Sequence, residues 1–432
     1  MGGAAFAHAV AQGQPTLRTP RMTPETYERL KTIYLQRLAE FFPNCRVTQL
    51  REAPGKADYG DIDFIVASDG PLDATQLATA LGAAGFLSYG GLHMLAVALD
   101  GEKHTEPPIR YTNVHSNKGR QASPIQSELE YAQIDIDLIE PALFDWHAFY
   151  ASYGDLSGLL GQIVHNLGFT VSDRGLFLRL KELEDAKAKA SEFHLRVTDR
   201  QGLLFLSNDP DHVMQFLGLN VAQYHSTFDS VDEFYAWLAT CRLLTPDYVG
   251  NLQYKRKDTS NQRQKEHKRS MITSFFKDYL PLHMELEVSD LDDSATWKDD
   301  LARRRQEWRE EAVSFFDKRE EVDKLRDDLA ISIANQTADY LIKPMVAKHY
   351  DGGEKKVAEI VKAIRRWVGF DGGQPKILAH KHSDEESQLR FWLDGDALRN
   401  SAAVDDWLRD NWEQCRALER GKTEPELAAA VK

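Results

Sequence analysis

Two stretches of this chain place carboxylates inside segments that otherwise read as buried β-strand. They are Asp61-Ile62-Asp63-Phe64-Ile65-Val66 and Gln133-Ile134-Asp135-Ile136-Asp137-Leu138-Ile139. Side chains alternate across a strand, so Asp61 and Asp63 share one face while Ile62 and Phe64 share the other. The same alternation puts Asp135 and Asp137 on one face. Charges are rarely placed in a core-forming strand unless they are paired or hold a metal. One Asp-x-Asp at a strand end is commonly a solvated edge. Two such patterns, each set among β-branched residues, favour a shared site and require two strands of one sheet that lie close together. Carboxylate oxygens suit hard divalent cations such as Mg²⁺. A third carboxylate on a neighbouring strand completes the donor set of a two-metal centre for phosphoryl transfer.

The surrounding pattern is consistent with a sheet. Thr23, Pro24 and Glu25 form a helix start, with Thr at the N-cap and Pro at the first helical position. The helix is expected to run to about Phe42, with Tyr27, Leu30, Ile33, Tyr34, Leu38 and Phe41 on one side. Strands follow at 46–50, 61–66, 94–99 and 134–139, with a helix over 74–84, and the alternation argues for one α/β layer. Residues 100–126 are polar and read as a long loop or insertion. Residues 144–167 read as helical up to Gly168, and short strands are expected at 176–180, 194–197 and 203–206. Beyond about residue 226 the apolar spacing changes from two to 3.6, which predicts helices. The expected class is α+β: a mixed sheet with helices, a small second subdomain and a mostly helical C-terminal region. The expected divisions are a flexible lead over 1–22, a sheet domain over 23–145, a subdomain over 146–225 and a helical region over 226–432.

Composition narrows the function classes. The 432 residues carry 53 Lys+Arg and 67 Asp+Glu, a net charge of −14. That balance argues against a surface that coats nucleic acid indiscriminately. One local exception is the basic run from Lys255 to Arg269, which reads either as a contact to a phosphate backbone or as a solvated linker. Cys45, Cys241 and Cys415 are isolated, which suggests a reducing compartment without a disulfide framework. No segment approaches the ~20 apolar residues of a membrane helix. The expected setting is intracellular, cytoplasmic or nuclear, with organelle import left open by Arg18, Arg21 and the lack of acids before Glu25.

The residues around the first acidic pair resemble a known family. Ala53-Pro54-Gly55-Lys56-Ala57-Asp58-Tyr59-Gly60-Asp61-Ile62-Asp63 is similar to the nucleotidyltransferase motif of family X DNA polymerases, whose Gly-Asp-x-Asp holds two metals. Residues 133–139 resemble that family's later strand, whose Asp is the third ligand. Phe149 to Asp155 resembles its thumb segment, Leu167 to Asp173 the turn after it, and Asn208 to Leu219 its late thumb helix. The resemblance covers roughly 25–225. It implies a palm-like domain at 23–145, a thumb-like subdomain at 146–225, and Mg²⁺ or Mn²⁺ held by Asp61, Asp63 and Asp135 with Asp137 in reserve. It also implies an NTP or dNTP bound near Arg51, Gly60, Tyr150 and Gly154. Asp135 is implied to help deprotonate the attacking hydroxyl.

The chain departs from the family in places. Leu50 and Arg51 stand where the family has the Gly-Ser that holds the triphosphate, Pro54 replaces an arginine, and Ala151 replaces the second thumb aromatic. Arg51, Lys56, Arg110, Lys118 and Arg120 are candidates for phosphate contacts, because the Arg fork matches phosphate. Two further readings stay open: a non-catalytic nucleotide- or nucleic-acid-binding module of the same fold, and a scaffold whose acids face water. His93 and His165 read as structural.

Overall fold

The computed structural model describes residues 3–113, 125–193, 195–196, 198–254, 270–285, 294–350, 352–382, 392–394 and 397–421. Thr23 and Pro24 open the first helix, α1 (Pro24–Phe41), where the Thr23 hydroxyl accepts from the Thr26 N–H. Its stripe of Tyr27, Leu30, Tyr34 and Leu38 is fully buried. Helix α2 (Ala74–Leu81) is capped by Asp73 and stopped by Gly82, whose φ of 72° is a left-handed turn that favours glycine.

These helices cover one face of a mixed sheet. In chain order the strands are β1 (Ala9–Val10), β2 (Thr16–Arg18), β3 (Val47–Gln49), β4 (Asp61–Ala67), β5 (Ala83–Tyr89), β6 (Leu92–Ala98), β7 (Ile109–Arg110), β8 (Thr112–Asn113) and β9 (Gln126–Ile139). The sheet runs β3-β4-β9-β6-β5-β7, with β2 pairing to β9 and β1 pairing separately with β8. The β4–β9 and β5–β7 pairs are parallel, while β3–β4, β6–β9 and β5–β6 are antiparallel. Ile62, Phe64, Val66, Ile134 and Ile136 meet Leu30, Tyr34, Leu38, Leu77 and Leu81 in the core under α1 and α2. Leu30→Ala should lower stability by about 3 kcal/mol, the usual cost of a buried Leu cavity, measured by denaturant unfolding.

Residues 3–22 are not a flexible lead. From Gly3 onward they lie against the opposite face of the sheet, where Phe6, Ala9 and Leu17 are buried with Ala84, Leu87, Met94, Ala96, Tyr111 and Tyr131. The Phe6 and Tyr111 rings meet edge to face at 5.8 Å. The Tyr111 hydroxyl donates to the Pro15 carbonyl at 2.9 Å, and Met22 and Tyr59 exchange backbone hydrogen bonds. Burying apolar area on an otherwise open sheet face is what orders this stretch.

The chain divides into two compact units: Met1–Phe177 with Phe205–Phe316, and Leu178–Leu204 with Asp317–Lys432. This cuts across the expected 146–225 subdomain and 226–432 region. The reason is helix α5 (Lys181–Phe193), which lies between two segments read from sequence as strands. Arg326 donates to Glu182 at 2.8 Å, and the Arg196 N–H to Gln336 at 2.6 Å, fastening residues 181–196 to the long helix Arg319–His349. In the first unit, α3 (Phe144–Tyr150) and α4 (Leu156–His165) replace the single expected helix. A left-handed step at Tyr153 and Gly154, φ 56° and 67°, separates them.

A three-stranded sheet is formed by Phe169–Ser172, Gly175–Arg179 and Leu203–Ser207. After residue 226 the described residues are mainly helical. Their only strands form two short hairpins, Val368–Asp371 with Gln374–Ile377 and Leu393–Asp394 with Ala397–Leu398. No described helix is long and apolar enough to cross a membrane.

Candidate metal centre

The parallel register of β4 on β9 builds the site. Asp63 lies opposite Asp135, Asp61 opposite Gln133, and Ile65 opposite Asp137. Neighbouring strands are about 4.8 Å apart, so same-face side chains at paired positions touch. One oxygen each from Asp61, Asp63 and Asp135 lies within 4.8 Å of the others. Among the described residues no other three acid, His or Cys side chains converge in this way. The acids lie on the sheet face turned away from α1 and α2. Farther along that face Ile65, Ala67, Ile139 and Phe144 form a small apolar cluster.

Each acid of the group is held, or crowded, by its surroundings. The Gly3 N–H donates to Asp61 Oδ2 at 3.0 Å. Gln133, 3 % exposed, donates from Nε2 to Asp135 Oδ1 at 2.8 Å and accepts the Ala5 N–H at 3.0 Å. Glu52 brings a fourth negative charge close enough to raise both Asp61 and Asp63. It is itself paired with Lys56 and accepts the Tyr27 hydroxyl at 3.2 Å. Tyr27 stacks on Tyr59 at 3.9 Å.

The carboxyl groups respond to this crowding. Burial, then the charges of Asp61 and Asp135, push Asp63 up to about 8. Burial, then Asp61, push Asp135 up to about 7, against the Gln133 bond. Burial also raises Asp61, and the Gly3 N–H opposes it. Removing carboxylates from water penalises their charged form, and like charges add to that. Lys56 is the cation that eases both Asp61 and Asp63, and it is already paired with Glu52. A divalent cation is the natural complement to such a donor set: three hard oxygen ligands with excess negative charge.

The other expected site residues fall elsewhere. Asp137 is outside the group of three; its Oδ2 lies 3.5 Å from His147 Nε2, and burial raises it while His147 and His93 oppose. Arg51 is committed to the junction with the later helices. Its Nη1 donates to the Tyr224 carbonyl and, at 3.3 Å, to the Tyr153 hydroxyl, and its guanidinium covers the Tyr224 ring. Gly60 is buried against the N-terminal segment, its carbonyl oxygen so near Gly3 that a Cβ there would sit 2.1 Å away. The Tyr150 ring is 6.4 Å from that of His147, and Gly154 faces Met271 and Ala53.

Lys118, Arg120 and the basic run 255–269 lie outside the described residues. His93 is buried as expected, its Nδ1 2.9 Å from the Ser88 hydroxyl. Gln133, Glu52 and Gly3 were not read as site residues from sequence. For Gln133 the signal was present, because it lies two residues before Asp135 and therefore on its face.

A separate cleft of about 850 Å³ lies beside strand β3, lined by Arg46, Gln49, Arg51, Phe149, Asp211 and His225 among others. No family model matches this chain, and no curated protein matches it.

Proposed function

We propose that this chain is a Mg²⁺- or Mn²⁺-dependent nucleotidyltransferase that moves a nucleotidyl group from an NTP or dNTP to an acceptor hydroxyl. The observation that carries the reading is the convergence of three half-buried, charge-crowded carboxylates from two adjacent parallel strands. Asp61, Asp63 and Asp135 would hold the ions, and their donor chemistry fits them. Bound there, divalent ions supply positive charge to the transferring phosphoryl group. Asp135, positioned by Gln133, would take the proton of the attacking hydroxyl. The hydroxyl oxygen then bonds to the α-phosphorus, the bond to the β-phosphate breaks, and pyrophosphate leaves. The basic run 255–269 would offer a nucleic-acid acceptor its phosphate contacts.

A second reading, a nucleotide-binding module without turnover, is favoured by one observation. Leu50 and Arg51 stand where the resembled family holds triphosphate, and here Leu50 packs beside Ile65 and Phe144 while Arg51 is bound to Tyr224. Incubation with each labelled NTP and dNTP, Mg²⁺ or Mn²⁺, and mixed acceptors separates the two. Transfer with pyrophosphate release is expected. Nucleotide-dependent stabilisation without product would favour the module, and neither effect would leave a scaffold.

A further inference from the structure

The N-terminal segment reaches the acidic group at two points, and both are backbone amides. Gly3 N–H donates to Asp61 Oδ2, and Ala5 N–H donates to Gln133 Oε1, whose amide in turn donates to Asp135. Two of the three acids are thus oriented from this segment, directly or through one buried side chain. The segment is anchored close by: Phe6 and Ala9 are fully buried on the same sheet face, and Thr19 donates to the Gly3 carbonyl at 2.8 Å. Position 3 leaves no freedom. Its φ of 83° favours glycine, and any side chain would meet the Gly60 carbonyl.

We infer that residues 3–6 with Gln133 form a strap that positions the metal ligands, so that Gly3 and Gln133 are positioning residues of the proposed centre. The inference rests on the metal-centre reading above. Each N–H occupies one acceptor site and fixes the carboxylate rotamer, leaving the remaining oxygens for a cation. Partners of this kind typically control metal affinity by about 10–100-fold. Among the described residues Asp63 receives no hydrogen bond from the strap.

The test uses the full chain and Mn²⁺ alone, titrated by calorimetry and by electron paramagnetic resonance. Gly3→Ala drives the strap off Gly60 and removes the Asp61 bond; Gln133→Met removes the Asp135 bond at similar volume. Each is expected to weaken Mn²⁺ binding at least tenfold while the far-ultraviolet circular dichroism stays that of wild type. Val97→Ala, a core change under the opposite face, should weaken folding and leave Mn²⁺ affinity unchanged. If wild type binds Mn²⁺ and both strap variants bind it equally well, the strap is overturned and the metal centre stands. Equal weakening in Val97→Ala also overturns it, because affinity would then follow stability alone. If wild type binds no Mn²⁺, the metal centre falls and the strap with it.

Discussion

Asp63→Asn is expected to abolish nucleotidyl transfer and any stabilisation by Mg²⁺ while the metal-free protein remains folded. The swap keeps the shape of the side chain and removes one negative charge from the centre of a group of three. Asp63 is raised by burial and by both neighbours, so its loss relieves repulsion that the metal-free fold otherwise carries. The variant should therefore melt no lower than wild type at neutral pH without metal, and higher at pH 8. With Mg²⁺ the order should reverse, because only wild type gains binding energy. Thermal melts with and without Mg²⁺, together with a transfer assay, read both parts. Retained transfer would remove Asp63 from the mechanism. An aspartate with a purely structural role would give the opposite pattern: lower stability and unchanged transfer.

The second large effect is in pH. Asp63 and Asp135 have folded-state values near 8 and 7, against 3.8 when unperturbed. A carboxyl raised on folding adds stability at low pH, and that contribution is lost as pH rises through the folded-state value. The metal-free protein should therefore lose stability between about pH 4 and pH 8, the reverse of an acid held by a salt bridge. Divalent cations bind the deprotonated form, so Mn²⁺ should cancel this loss and have its largest effect at the alkaline end. Denaturant unfolding at several pH values, with Mn²⁺ and with chelator, measures it. A metal-free stability that is flat or rising from pH 5 to pH 8 would contradict the crowding. Asp63→Asn should flatten the profile.

The face on which each acid lies could be read from sequence because period two is local. Ile62 and Phe64 fix the buried side of β4, and Ile134 and Ile136 that of β9. The pairing of β4 with β9 could only be expected, since 72 residues separate Asp63 from Asp135 and no local signal sets a parallel register. The opening segment was misread for a different reason. Strands of two and three residues are too short to show a period, and Phe6, Ala9 and Leu17 make sense only against the sheet they cover. Helix α5 was missed although Glu, Lys and Ala dominate it, because its neighbours read as strands. Arg51 is assigned to the ligand in the sequence because it stands where the resembled family has its triphosphate-holding Gly-Ser and because the Arg fork matches phosphate. Its acceptors, Tyr153 and Tyr224, come from segments 102 and 173 residues away.

The β4–β9 register also limits how this chain could change in length. Inserting or deleting one residue between Gln133 and Asp135 would turn the later carboxylates of β9 into the apolar core beneath α1 and α2, where Ile134 and Ile136 now sit. Deleting two residues ahead of Asp135 would instead bring Asp137 opposite Asp63 and keep an acid in the group. The alternation that builds the site therefore carries a spare carboxylate in frame. Indels in these two strands should be tolerated only in even steps.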